Sequence, residues 1–475
     1  MLYTEIPNCP MNNIAKTKII ATIGPSSWDD SVLRKMFESG MLLARINASF
    51  ADFDELQRVS SQLRAISPRI PIVLDTQGNK IRVKNPSSPK EIKDTVTISS
   101  ESTSENTINV TYPNLHQYVT VGTEIMLDDG KIRLKVSSIT GTNIYCDVIQ
   151  GGLLKQNKTV NIPSANLPFP ILTEKDKADI QFALHNNFDF VCASFVRTAE
   201  DVISIKKLLG NSSMGIISKI ENREGVKNFD EIMKESDAIM IARGDLGVEM
   251  NFEVIPILQK QFIYKCRMAG KPVIVATQML ESMTNNINPT RAEVSDVANA
   301  VMDGADCLML SAETSTGKFP LESVITMHKS IIASESVMRP TAVNGETFAG
   351  PDTDEIALSL FPMSQRLPIK AVIVISDNQS TLGSISRHRL NIPIYSVSSH
   401  LENIRKNALY NAVKTCYIPN LPSDRDDAVK YAVEHIYALG EFNFSDKIAI
   451  ISGSSIKNRK EDSILELAIV KDILQ

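Results

Sequence analysis

No stretch of this 475-residue chain approaches the ~18 successive apolar residues of a membrane-spanning helix, so a membrane span is not expected. None of the six cysteines (Cys9, Cys146, Cys192, Cys266, Cys307, Cys416) stands in a Cys-x-x-Cys pair, which removes the usual zinc-site spacing. Cys192 and Cys307 lie inside apolar runs and read as buried free thiols, a usage that fits a reducing cytoplasm. Met1 to Lys18 lacks a long apolar stretch, so no secretory leader is expected. An excess of positive charge is also missing. With 50 Lys and Arg against 55 Asp and Glu, the net charge is −5, which excludes a global basic field for nucleic acid. A phosphorylated ligand must therefore be met by local basic residues. Internal repeats and low-complexity tracts are absent too.

What is present is the composition of a soluble globular protein, 43% hydrophobic and 22% charged, in a chain too long for one ordinary core. Short, nearly continuous apolar runs recur at Lys18–Ile23, Met41–Ile46, Ile70–Leu74, Phe188–Ala193, Met214–Ile220, Ala238–Ala242, Pro272–Ala276 and Cys307–Leu310. Such runs suit parallel strands covered on both faces. Helical patterns separate them: Trp28-Asp29-Asp30 before Val32, Leu33, Met36 and Phe37; Thr173-Glu174-Lys175-Asp176 before Ile180; Pro289-Thr290-Arg291 opening a helix through Val301. Eight strand–helix units predict an α/β fold, a (β/α)8 TIM barrel.

Residues 80–165 break this rhythm with short alternating β-branched runs (Thr95–Ile98, Thr107–Val110, Glu124–Leu127, Lys131–Val136, Asn143–Val148) parted by turns such as Asp128-Asp129-Gly130. They predict a small β domain inserted after the third barrel strand and placed as a lid over the catalytic mouth. A polar stretch after about Pro340 reads as a linker. Beyond it, Ala371–Ile375, Ile392–Val397, Lys447–Ile451 and Leu465–Ile469 alternate with helical patterns as a second α/β unit. The expected division is 1–76 and 171–342 for the barrel, 77–170 for a small β-barrel lid, and 343–475 for a C-terminal α/β domain.

In a barrel, residues just past each strand line one mouth. Those positions hold Arg45, Asn47 and Ser49; Asp75, Thr76, Lys80 and Arg82; Ser194; Lys219 and Glu221; Gly244 and Asp245; Thr277; and Glu313. Period-two geometry puts Lys219 and Glu221 on one side of their strand, and Asp245 on the neighbouring strand can join Glu221. Two carboxylates with open positions suit Mg²⁺, and a lysine beside them can neutralise a transferring phosphoryl group. Taken singly, each feature has an ordinary structural explanation: an ion pair supporting the barrel, a β-to-α turn, a solvated arginine. Their concentration at strand ends favours chemistry.

The run Gly215–Gly225 (GIISKIENREG) resembles the active-site stretch of pyruvate kinases. Lys18–Pro25 (KIIATIGP), Asp75–Arg82 (DTQGNKIR), Ile241–Gly247 (IARGDLG), Ala276–Met283 (ATQMLESM) and Pro289–Thr314 are similar to the same family in the same order, while the C-terminal part is a weaker match. The resemblance implies phosphoryl transfer from phosphoenolpyruvate to ADP, giving pyruvate and ATP, the last step of glycolysis. It implies that Lys219 stabilises the transition state and that Glu221 and Asp245 hold Mg²⁺ or Mn²⁺. Arg45 would grip the phosphoryl group, the amides of Gly244 and Asp245 the substrate carboxylate, and Thr277 would stand beside the enolate carbon. Asn47, Arg82 and Lys158 would contact the nucleotide, and Asn47, Ser49, Asp75 and Thr76 would form a monovalent-cation site. A homotetramer and a sugar-phosphate or nucleotide effector are further implications.

Three departures carry expectations. Lys80 stands where most of the family has Glu, as in a subset that dispenses with K⁺, because a tethered ammonium can replace the ion. Phe50 stands where the family has a nucleotide-contacting His. The loop Ser376–Thr381 lacks the usual Gly and adds Asp377, whose carboxylate would repel a phosphate. Two other readings fit parts of the pattern: a different Mg²⁺-dependent barrel enzyme acting on pyruvate, such as an aldolase, and a non-catalytic scaffold.

Overall fold

The computed structural model describes residues 15–100, 107–165, 167–343, 349–453 and 464–475. Cys9, most of the Met1–Lys18 segment and part of the expected linker, 344–348, lie outside them. Eight parallel strands close into a barrel: β1 (Lys18–Ile23), β2 (Met41–Asn47), β3 (Ile72–Asp75), β4 (Phe190–Ala193), β5 (Gly215–Ile220), β6 (Ala238–Ala242), β7 (Val273–Ala276) and β8 (Cys307–Leu310). Each pairs with its sequence neighbour, and β1 pairs with β8 to close the ring. The TIM barrel is the fold expected from the apolar runs.

Both faces of these strands are covered, which is why the runs read as continuously apolar. Outward residues such as Ile19, Ala21, Ile46 and Ile241 pack under the helical layer. Inward residues from all eight strands, among them Ile20, Leu43, Val73, Phe190, Ile217 and Met240, form a separate cluster in the barrel's interior. Leu409 from the C-terminal unit joins that cluster. The surrounding helices start where capping residues stand. Asp29 caps Asp30–Glu38, while Thr173 and Thr290 form capping boxes with Asp176 and Glu293.

Between β3 and β4 lies the inserted domain. Its seven-stranded sheet runs in the order Ile81–Arg82, Thr159–Asn161, Glu124–Leu127, Ile132–Thr140, Asn143–Gln150, Thr95–Ser99, Thr107–Asn109. An antiparallel bridge between Val83 and Val110 joins its two edges, so the sheet curls shut around a core of its own. The two-residue strand Ile81–Arg82 and the three-residue strands Lys90–Ile92, Gly152–Leu154 and Thr159–Asn161 have no counterpart among the expected strands, being too short for alternation to register.

The C-terminal unit holds β9 (Ile369–Ile375), β10 (Ile394–Ser398), β11 (Val413–Tyr417), β12 (Lys447–Ser452) and β13 (Ile464–Ile469), in the order β11-β10-β9-β12-β13. Only β13 runs antiparallel to its neighbour. β11 was not expected, because half-buried Lys414 and Thr415 interrupt its apolar character. Among the described residues, no helix is long and apolar enough to cross a membrane.

Candidate active site

The inward positions of the barrel are apolar in the interior and turn polar at the C-terminal ends of the strands. Two residues beyond Leu43, Val73, Cys192 and Ile217 come Arg45, Asp75, Ser194 and Lys219, and two further along comes Glu221. These side chains meet. Asp75 Oδ2 accepts from Arg45 Nε at 2.6 Å, and its Oδ1 accepts from Lys219 Nζ at 3.1 Å. Lys219 Nζ also lies 2.9 Å from Glu221 Oε1 and donates to Ser194 Oγ at 2.9 Å. Arg45 Nη1 donates to Thr22 Oγ1 at 2.8 Å, and that hydroxyl donates to the Leu310 carbonyl at 2.8 Å. Five barrel strands are thus tied through one ionic node.

The node is almost dry. Asp75 and Glu221 are 1% and 0% exposed, and Lys219 8%. Burial opposes every charge here, and the neighbours decide the outcome. Burial pushes the Asp75 carboxyl up, but Arg45 and Lys219 outweigh it and hold the group below its ordinary value. Burial likewise acts against the Lys219 ammonium, and Asp75 and Glu221 reverse that effect, so the lysine stays charged. Glu221 is raised, first by burial and then by the nearby Asp245 carboxylate, with Lys219 opposing.

Asp245 opens the helix Arg243–Glu249 after β6 and pairs with Lys80 Nζ at 2.9 Å. The Lys80 ammonium also stands 4.9 Å from the centre of the Phe195 ring. The Phe195 amide donates to Glu221 Oε2 at 2.8 Å, whereas Glu221 Oε1 meets only the Lys219 ammonium, at 2.9 Å and outside hydrogen-bond geometry. A buried carboxylate oxygen with an open lone pair next to a second carboxylate fits a divalent cation that keeps waters and takes substrate oxygens. Two carboxylates are hard oxygen donors, which suit Mg²⁺ better than zinc; among the described residues no group of three or more His, Cys, Asp or Glu gathers as a metal cage.

Across the mouth, Thr277 adopts φ +70° and Gln278 φ +55°. A β-branched residue in that region is strained, and such strain persists only when neighbours over-determine it. Arg243 does so. Its buried guanidinium donates to the Thr277 carbonyl at 2.8 Å and the Gln278 carbonyl at 3.2 Å and pairs with Asp296 at 2.7 Å. The Thr277 hydroxyl in turn accepts from the Gly244 amide at 2.7 Å.

The family model described as "Pyruvate kinase, barrel domain" matches residues 14–324, and "Pyruvate kinase, alpha/beta domain" matches residues 354–467. The chain belongs to the pyruvate kinase family. Among its relatives is the pyruvate kinase of Geobacillus stearothermophilus, 38% identical over 97% of this chain and 81% of the relative. That of Clostridium perfringens is 37% identical over 88% and 93%, and that of Clostridium acetobutylicum 35% identical over 96% and 100%.

Within this pyruvate kinase fold, the residues expected at the site divide into three groups. Arg45, Asp75, Lys219, Glu221, Asp245, Gly244 and Thr277 all reach the barrel mouth, as does Lys80. Arg82 and Lys158 do not join that node. Arg82, expected to cluster with Arg45 at a strand end, lies on a lid strand paired to Thr159, with its guanidinium on the Asn157 carbonyl at 2.9 Å. Lys158 pairs with Asp128 of the lid at 2.7 Å. Of the four cation-site residues, Asn47 Oδ1 accepts from the Ser49 amide, Thr76 Oγ1 accepts from the Ser194 amide, and Asp75 accepts from Arg45 and Lys219. The Lys80 ammonium meets Asp245 rather than this group.

Sequence reasoning assigned no role to Thr22, Ser194, Phe195 or Arg243. The signal for Arg243 was present, since a charged residue closes an otherwise apolar strand. Nothing in the sequence pointed to Thr22. A cleft of about 450 Å³ lies between lid and barrel, bordered by Lys80, Asn161, Phe195, Arg223, Asp245 and Glu249.

Proposed function

We propose that the chain transfers the phosphoryl group of phosphoenolpyruvate to ADP in the cleft between barrel mouth and lid, giving pyruvate and ATP. The observation that carries this reading is the Lys219 ammonium held between Asp75 and Glu221 at the rim of a closed barrel. Glu221 and Asp245 are the residues that would hold Mg²⁺ or Mn²⁺, which supplies neutralisation of phosphoryl and enolate oxygens when bound. Lys219 stays protonated and neutralises the same charge from the other side. Arg45, braced by Asp75 and Thr22, presents its guanidinium to the phosphoryl group.

A β-phosphate oxygen of ADP attacks phosphorus as the bond to the enolpyruvate oxygen breaks. The released enolate takes a proton at carbon and becomes the ketone, which makes the overall transfer downhill. Thr277 stands beside that carbon and helps relay the proton. The amides of Gly244 and Asp245 receive the substrate carboxylate once the Thr277 hydroxyl yields the Gly244 amide. Lid residues Arg82 and Lys158 meet the nucleotide phosphates after exchanging their present lid partners for them, and Asn47 joins them from the end of β2.

In this reading Lys80 supplies the positive charge of a monovalent cation from another point of the cleft, 2.9 Å from Asp245, and not from within the group formed by Asn47, Ser49, Asp75 and Thr76. The site formed by Asn47, Ser49, Asp75 and Thr76 is then dispensable. We retain the division into barrel (1–76 and 171–342), lid (77–170) and regulatory domain (343–475), and a cytoplasmic location. The self-association that a homotetramer requires is supported by exposed apolar side chains along one barrel helix and its approach: Phe252, Ile257 and Tyr264 are 81%, 54% and 61% exposed. A sugar-phosphate or nucleotide effector entering the Ser376–Thr381 loop has to displace Asp377, which accepts from Ser398 Oγ at 2.8 Å and Asn403 Nδ2 at 2.9 Å.

The test is a coupled assay for pyruvate from phosphoenolpyruvate, ADP and Mg²⁺. Lys219→Met is expected to lower kcat by several orders of magnitude, measured well below the variant's melting temperature so that lost stability does not enter the rate. No pyruvate from the wild-type chain would overturn the reading.

A further inference from the structure

The chain crosses between barrel and lid twice, outward at Gln77-Gly78 just past β3 and inward at Thr173, at the start of helix Glu174–His185. One side chain holds both crossings. Asp176 is 0% exposed. Its Oδ1 accepts from the Gln77 amide at 2.9 Å and the Gly78 amide at 3.2 Å. Its Oδ2 accepts from the Thr173 amide at 3.0 Å and the Thr173 hydroxyl at 2.7 Å. A capping box accounts for the second pair only. The first pair reaches 99 and 98 residues back along the chain.

The segment so held has little room elsewhere. Gly78 sits at φ +66°, and a β-carbon there would meet Ser194 Cβ at 2.8 Å and the Phe195 ring at 2.9 Å. Ser194 Oγ donates to the Thr76 carbonyl at 2.7 Å, and Asn79 Nδ2 donates to the Pro170 carbonyl at 2.6 Å, tying the two crossings together a second time. At one end of this short segment stands Asp75, which holds Lys219 and Arg45. At the other stands Lys80, which reaches Asp245. The carboxylate of Asp176 therefore lies at the root of the arm that carries one ionic group of the cleft towards the others.

We propose that Asp176 is the positioning residue that registers the lid over the nucleotide cleft. It touches no substrate and acts through the Gln77–Lys80 backbone. Four donors, two of them from each crossing, converge on one buried carboxylate, and charge-assisted bonds of this kind are the strong ones. An asparagine keeps one acceptor oxygen and replaces the other with an amino group that cannot accept, so it satisfies one crossing and repels the donors of the other.

The proposal rests on the cleft being the ADP site. The experiment therefore pairs kinetics with hydrogen exchange measured without substrate. For Asp176→Asn we expect the KM for ADP to rise about tenfold, exchange to quicken in peptides covering 76–82 and 170–176, and the Kd for phosphoenolpyruvate with Mg²⁺ to stay within twofold. Thr173→Ala removes one bond of the four and is expected to move the same two readouts less, which keeps the test available if the first variant fails to fold. Unchanged exchange at 76–82 would overturn the clamp. Faster exchange with an unchanged KM for ADP, or a parallel loss of melting temperature and phosphoenolpyruvate affinity, would overturn the positioning role. A chain inactive with ADP while exchange still quickens would sink the functional reading and leave the clamp standing.

Discussion

Asp75 is the residue on which the site's electrostatics turn. It is buried, it is held ionised by two cations, and it keeps both of them in place. Removing one partner of a buried ionic cluster leaves the others uncompensated, which typically costs about 3–5 kcal/mol. Asp75→Ala is therefore expected to lower the melting temperature sharply and to abolish most activity. A variant that melts like wild type in calorimetry would show that the node does not hold the barrel mouth together. Arg243 acts differently, by holding the strained Thr277-Gln278 turn. Arg243→Ala is expected to lower kcat about a hundredfold, because misplacing a reacting group by even an ångström has that effect. Steady-state rates at saturating phosphoenolpyruvate measure it.

Among elements, the passage from β3 to the lid is the most constrained. Any side chain at Gly78 meets Ser194 and Phe195, and the left-handed backbone there disfavours one in any case. Gly78→Ala is expected to destabilise the protein by about 1–3 kcal/mol and to loosen the lid, seen as easier proteolysis in the lid than in the barrel. The barrel strands were legible because burial on both faces leaves a run of apolar residues with no interruption. The capped helix starts at Asp29, Thr173 and Thr290 were legible for a local reason, since one side chain satisfies the amides that follow it. The short lid strands were not, because two or three residues contain no period. Nor was β11, whose place in its sheet comes from backbone pairing with β10 rather than from its own side chains.

At the scale of the whole molecule, the barrel and the C-terminal unit meet through a compact polar joint. Arg389 donates to the Gly304 carbonyl and Asp306, Arg387 to the Met268 carbonyl, and Arg267 to the Arg387 carbonyl. Between them His388 accepts from the Val343 amide through Nδ1, which requires the neutral ring. Burial lowers its pKa to about 4, with Arg387 and Arg267 adding to the effect and Asp354 opposing. Below the unfolded value near 6.5 the unfolded chain binds a proton that the folded chain refuses, so stability falls as pH drops from about 6.5 towards 4, by about 3 kcal/mol at most. His388→Asn is expected to flatten this part of the stability–pH curve, as read from melts across that range. Potassium belongs to this scale as well, since it concerns the assembled cleft. Activity in K⁺-free buffer is expected to match that with KCl, and a large activation by KCl over an inert salt would refute the role given to Lys80.

The sequence by itself determined the barrel, the position of the insertion and the residues at the strand ends, because period-two geometry and strand burial are local properties that a linear text records; the family was legible in motif runs such as Gly215–Gly225. Only the tertiary structure decided which of those residues share a partner. It joined Lys80 to Asp245, left Arg82 and Lys158 within the lid, and brought Asp176 onto amides almost a hundred residues away. A hydrogen bond or ion pair depends on distance in space, and closing the barrel and folding back the lid set those distances without leaving a pattern in the order of residues.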